Sequence, residues 1–202
     1  MGTPQVVVFD LGNVLIEWDR RNLFAKLIDD PGELQHFLDN VYTMDENARL
    51  DSGTPLKEVA ETLVDRHPDK ADIISAIVDR WEEMLGPVLV GTVEILEELR
   101  ANGVYLLALS NWGKDTFAMI EPNYPFLELF DGMVISGREG VVKPGREIFD
   151  ILCDRYDVAA DHTVFIDDSE ANIASAAALG FDALLFESAE ILRGQLIERS
   201  LL

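Results

Sequence analysis

Five short apolar runs, several rich in β-branched residues, recur along the chain: Gln5 to Asp10 (QVVVFD), Val104 to Ser110 (VYLLALS), Gly132 to Ser136 (GMVIS), Thr163 to Asp167 (TVFID) and Asp182 to Phe186 (DALLF). Hydrophobicity that is continuous rather than alternating predicts strands buried on both faces, as in a parallel sheet. Between the runs the spacing becomes helical. Val93, Leu96 and Leu99 share one face ahead of Gly103, and Ile173, Ala176 and Leu179 repeat the arrangement ahead of Gly180, each glycine standing where it can end a helix. Strand and helix therefore alternate, which predicts an α/β fold built on a doubly wound parallel sheet. Ligands of such folds bind outside the carboxyl ends of the strands.

The stretch from Trp18 to Pro87 breaks the alternation. Its periodicity is helical, it shows no convincing strand, and Pro31, Gly53, Pro55 and Pro68 divide it into segments too short for long rods. It is expected to be a helical cap, residues 18–87, inserted into an α/β core made of residues 1–17 and 88–202. Trp81, at helical spacing with Met84 and Leu85, is expected in the core of that cap.

The 202 residues, 48% hydrophobic, suffice for one substantial core and a smaller inserted one. A formal charge of −22 opposes encounter with nucleic acid or an anionic membrane surface, so no partner of either kind is expected. A small anionic ligand would have to meet a local cationic site. The single cysteine, Cys153, cannot form an internal disulfide, and no apolar run approaches the roughly 20 residues of a membrane span. With no signal-like segment visible at the N-terminus, the expected compartment is the cytoplasm. Oligomeric state is not legible.

Four polar clusters sit at or close behind predicted strand ends. In FDLGNVL, Asp10 ends the first strand and Gly12 follows, positioned to turn the chain and offer a main-chain carbonyl to a metal; the plainer reading is a turn capped by Asp10. In LSNW, Ser110 and the adjoining N–H groups can hold an anion at a helix start, or simply cap that helix. In VVKPG, Lys143 can neutralise a phosphoryl group, although most lysines are solvated. In FIDDSEAN, Asp167 and Asp168 are adjacent, with Ser169 and Asn172 in the helical turn that follows. Capping explains one of the two carboxylates. The pair suits a hard cation such as magnesium.

Taken together and in this order, the clusters resemble the haloacid dehalogenase superfamily along the whole chain, helical insertion included. The resemblance implies Asp10 as the nucleophile of a magnesium-dependent phosphatase that acts on a small phosphorylated metabolite through an aspartyl-phosphate. It further implies Ser110 and Asn111 as phosphoryl-binding groups and Lys143 as charge stabiliser. The Mg2+ site it implies comprises Asp10, the Gly12 carbonyl and Asp168, with Asp167 beside it.

One position departs from the pattern. Phosphatases of this superfamily usually carry a second aspartate two residues after the nucleophile, as general acid and base, and here that residue is Gly12. A subgroup opening with DLGNV or DLGGV similarly lacks it and includes sugar-phosphate phosphatases. Glu17 and Asp19 are candidate substitutes, while Trp18, Trp112 and Tyr124 are candidate substrate contacts or packing residues. The competing enzyme is a 2-haloacid dehalogenase, which needs no metal and gains little from paired carboxylates. A binding protein without turnover is the third reading.

Overall fold

The computed structural model describes residues 6–202. Their strands are β1 (Val6–Phe9), β2 (Ile16–Trp18), β3 (Leu85–Val88), β4 (Tyr105–Ser110), β5 (Gly132–Ile135), β6 (Thr163–Asp167) and β7 (Asp182–Leu185). The five apolar runs give one parallel sheet in the order β5-β4-β1-β6-β7. Gln5, the expected first residue of β1, lies outside the described residues. The chain winds outward from β1 through β4 to β5, then returns to β6 and β7 on the other side. The strand order thus reverses between β1 and β6, the point at which such sheets open a ligand crevice.

Successive residues of each strand feed opposite faces. Val7, Phe9, Leu106, Ala108 and Ile166 join one apolar cluster, and Val6, Val8, Leu107, Leu109 and Phe165 join the other. Helices Val90–Ala101 and Ala189–Glu198 cover the first face through Ile95, Leu96, Leu99, Leu192 and Leu196. Helices Arg146–Tyr156 and Glu170–Ala178 cover the second through Ile148, Phe149, Leu152 and Ala176. Gly103 and Gly180 follow their helices at φ +77° and +99°, left-handed values that only glycine adopts freely.

Between β2 and β3 run the helices Arg21–Phe24, Pro31–Asn40, Met44–Asp51, Leu56–Arg66 and Ala71–Asp79. Their starts are chemically marked. Asp30 Oδ1 accepts the Glu33 N–H at 2.8 Å just before Pro31, and Thr43 Oγ1 accepts the Glu46 N–H at 3.3 Å. One expectation is corrected: residues 18–87 are not free of strand. Trp18 and Leu85 to Pro87 belong to the antiparallel β2–β3 ribbon, which flanks the helices. Strands this short show no periodicity, and Pro87 argues against a strand unless it is an exposed edge, as here.

The insertion is not a separate globule. Phe24, Phe37, Tyr42, Leu63, Ile77 and Trp81 share one cluster with Val7 and Phe9 of the sheet. Trp81 and Met84 are buried as expected, but Trp81 packs across the junction on Trp112, with ring centroids 5.9 Å apart. Among the described residues no helix is long and apolar enough to cross a membrane.

Candidate active site

Asp10 is the first residue beyond β1. Its N–H donates to the Ile166 carbonyl at 2.8 Å, which continues the ladder with β6, and its Oδ1 accepts the Leu11 N–H at 2.7 Å. Leu11, Val14, Leu15 and Ile16 are fully buried and anchor the loop that follows. The tight turn expected at Gly12 is made at Asn13 instead, with φ +55°; a Cβ on Gly12 would meet nothing within 4 Å, and its φ is not left-handed. Asparagine tolerates that conformation better than most residues. Asn13 Oδ1 then accepts the Trp18 N–H at 2.9 Å and ties the loop to β2.

Lys143 reaches the same point from the loop that leads into helix Arg146–Tyr156. Its buried ammonium stands 3.1 Å from Asp10 Oδ1 and 2.6 Å from Asp167 Oδ2, and donates to the Leu109 carbonyl at 2.7 Å. Burial alone would push this lysine down, but Asp10 and Asp167 outweigh it and hold its pKa above the ordinary value. Asp167 is saturated. Besides Lys143 it accepts the Ser169 N–H at 2.8 Å and Asn172 Nδ2 at 2.9 and 3.1 Å on its two oxygens. Asp168, beside that network, is exposed and lines the open cavity. Partial desolvation of its carboxyl and the neighbouring Asp167 raise its pKa, while an Asn13 hydrogen bond opposes the rise.

Burial raises the Asp10 carboxyl against the pull of Lys143, Asp167 and Asp168 add repulsion, and a hydrogen bond from buried Ser110 partly relieves it. Asn111 is engaged differently from expectation. Its side chain is a clamp on Lys143, Nδ2 donating to the Lys143 carbonyl at 2.9 Å and Oδ1 accepting the Lys143 N–H at 2.8 Å. The helix expected at once after Ser110 begins only at Lys114, so Asn111 to Gly113 form a loop ahead of it.

The carboxylates of Asp10, Asp167 and Asp168 converge, with one oxygen from each lying within 4.8 Å of the others. Hard oxygen donors beside an open cavity fit magnesium, and the saturation of Asp167 leaves Asp10 and Asp168 as the carboxylates free to hold it, with Gly12 on the same wall. Asp10, Ser110, Asn111, Lys143, Asp167 and Asp168, the polar residues of the expected site, meet at the strand ends. Glu17 and Asp19 do not. Glu17 is exposed on the strand face opposite Trp18, and Asp19 Oδ1 accepts the Arg21 N–H at 2.8 Å, a local cap.

The insertion roofs a cavity of about 210 Å³ over this cluster. Trp18, Trp81, Trp112 and Met44 supply its apolar wall, and Asn13, Asn47, Asp51 and Asn111 its polar one. Tyr124 is elsewhere, packed edge-on against Phe126. Asn47 and Asp51 escaped the sequence reading, because nothing in a helical insertion marks which polar residues will face the core. A wider cleft, about 650 Å³, opens around Tyr105, Tyr156 and His162, but there Arg100 and Asp131 are paired with each other at 2.6 Å.

Solved structures share the architecture. A predicted hydrolase from Porphyromonas gingivalis is 24% identical, with a TM-score of 0.77 over 98% of each chain. A haloacid dehalogenase (HAD) family enzyme from Bacteroides thetaiotaomicron, crystallised with magnesium and inorganic phosphate, is 22% identical, with a TM-score of 0.69 over 92% of this chain and 96% of that one. A sesquiterpene phosphatase of Aspergillus oryzae is 31% identical over 90 residues, 45% of this chain and 46% of that protein. This chain spans less than half the length of the curated relatives it matches. Residues 4–180 match the haloacid dehalogenase-like hydrolases, and with the parallel sheet and the strand-end cluster in place, the chain belongs to that family.

Proposed function

We infer that this hydrolase is a magnesium-dependent phosphatase acting on a small phosphorylated metabolite, with residues 18–87 as its substrate-covering cap. The observation that carries the reading is the charge balance of the cluster. Three carboxylates face one ammonium, so two negative charges remain uncompensated beside the nucleophile. A divalent cation restores neutrality there, and a dianionic phosphoryl group then has reason to approach. Displacement of halide from carbon gains nothing from such a surplus. The magnesium–phosphate complex of the Bacteroides enzyme and the phosphatase named among the relatives support the same side.

In this reading Asp10 attacks phosphorus and forms an aspartyl-phosphate, which water then hydrolyses. Lys143, fixed by Asn111 and Asp167, holds its charge against the nucleophile and the transferring oxygens. Ser110 and the main chain of Asn111 bind those oxygens. Asp10, Asp168 and the Gly12 carbonyl would hold magnesium, which would supply charge neutralisation at the phosphoryl group. The tryptophan wall accommodates an apolar organic portion.

The test is hydrolysis of phosphate monoesters with and without magnesium. EDTA should abolish phosphate release and magnesium should restore it, while Asp10→Asn, nearly the same size, should be inactive. Asp168→Asn should need far more magnesium than wild type. Asp167→Asn should instead lose stability, by roughly 3–5 kcal/mol, because it strips a partner from a buried lysine. Halide release from 2-chloropropionate that EDTA leaves untouched decides for a dehalogenase.

A further inference from the structure

Cleavage of a phosphate ester needs a proton for the departing oxygen, and Gly12 supplies none. Of the described residues lining the cavity, only Asp10, Asp51 and Asp168 carry ionisable side chains. Asp10 is assigned to phosphorus and Asp168 to the cation in the phosphatase reading, on which this inference rests. We propose that Asp51, carried into the cavity by the last turn of helix Met44–Asp51, is the general acid and base of the reaction.

Its surroundings suit a carboxyl that carries a proton. Tyr42 donates to Asn47 Oδ1 at 3.2 Å, which fixes the Asn47 amide so that Nδ2 donates to Asp51 Oδ2 at 3.0 Å. Oδ2 is thus held as an acceptor, and Oδ1 is the oxygen left to bear the hydrogen. The residue closes its helix, where the aligned peptide dipoles disfavour a negative charge. Burial pushes the carboxyl up to about 7, with Asn47 and the charge of Lys143 opposing. Asp10 and Asp168 face it from the core, and the Tyr42 hydroxyl lies on its own side. Its backbone is fixed as well, since Ser136 Oγ on the core donates to the Asp51 carbonyl at 2.6 Å.

The proton balance closes over the two half-reactions. As Asp10 Oδ bonds to phosphorus and the phosphorus–oxygen bond to the leaving group breaks, the Asp51 proton passes to the departing oxygen, which leaves as the alcohol. Asp51 is then a carboxylate. It takes a proton from the water that attacks the aspartyl-phosphate, the bond from Asp10 to phosphorus breaks, and Asp51 returns protonated.

The experiment compares wild type, Asp51→Asn and Asp51→Glu on an alkyl phosphate and on p-nitrophenyl phosphate, with magnesium present. General acid–base catalysis contributes on the order of 10² to 10⁴ in rate, so Asp51→Asn should lose about that much on the alkyl ester. p-Nitrophenol leaves without help. On that substrate the variant should release about one equivalent at near wild-type rate and then slow, with the aspartyl-phosphate on Asp10 accumulating and detectable by mass spectrometry. Asp51→Glu, which keeps a carboxyl, should recover part of the alkyl rate. If Asp51→Asn and Asp51→Glu lose the first turnover of both substrates equally, or only raise KM, Asp51 binds substrate and the proposal fails. Unchanged rates in Asp51→Asn overturn it too. A wild type that hydrolyses no phosphate ester under magnesium is a different failure, of the phosphatase reading itself.

Discussion

Asp51 also makes a prediction that needs no substrate. In the fold its pKa stands near 7, and in the unfolded chain near the reference 3.8, so between those values folding takes up a proton. The stability this site contributes is therefore complete at low pH and lost as pH rises through about 7. Asp51→Asn has no such dependence. Denaturant titrations from pH 5 to pH 8 should show wild type losing roughly 1–2 kcal/mol relative to the variant, a figure already discounted for partial solvent access. Parallel pH profiles would show an ionised Asp51 throughout. At this scale the sequence was legible in placement: Asp10, Ser110 and the Asp167–Asp168 pair stand at strand ends, and Lys143 reaches them from a loop. It was not legible for Asn47 and Asp51, whose helix position says nothing about what lies opposite, nor for Asn111, whose clamp on Lys143 joins two distant loops.

Among elements, the five sheet strands were visible because burial on both faces writes an uninterrupted apolar run, whereas β2 and β3 were too short to write any pattern. The loop Asn111 to Gly113 owes its shape to a glycine that sequence alone would pass over. A Cβ on Gly137 would come within 2.3 Å of the Lys114 N and 2.7 Å of the Trp112 carbonyl, both backbone atoms that cannot swing aside. Gly137 also donates its N–H to the Trp112 carbonyl at 3.0 Å. Gly137→Ala should therefore displace the loop, at a cost of roughly 1–3 kcal/mol as for other overpacked sites, and weaken phosphate binding well beyond the stability change. Gly12→Ala is the control. Its Cβ would enter open space at an ordinary φ, so thermal unfolding should stay close to wild type. A large loss in Gly12→Ala with none in Gly137→Ala would contradict both contact geometries.

For the molecule as a whole, a net charge of −22 means that folding gathers repelling groups, and the strand-end cluster sets three carboxylates against one ammonium beneath the inserted helices. A cation bound there belongs to the folded state alone, because unfolding scatters Asp10 and Asp168 along the chain. Binding then stabilises by mass action, about 2.7 kcal/mol when magnesium stands a hundredfold above its Kd. For a chain of this length that corresponds to a rise in Tm of roughly 5–10 °C. Screening of the surface charge also raises Tm, so the comparison must be with sodium chloride at equal ionic strength. Magnesium should exceed sodium chloride in wild type, and Asp168→Asn should lose that excess while keeping the response to salt. An excess that survives in Asp168→Asn would mean that magnesium acts on the diffuse surface charge, and the strand-end carboxylates would not be its site.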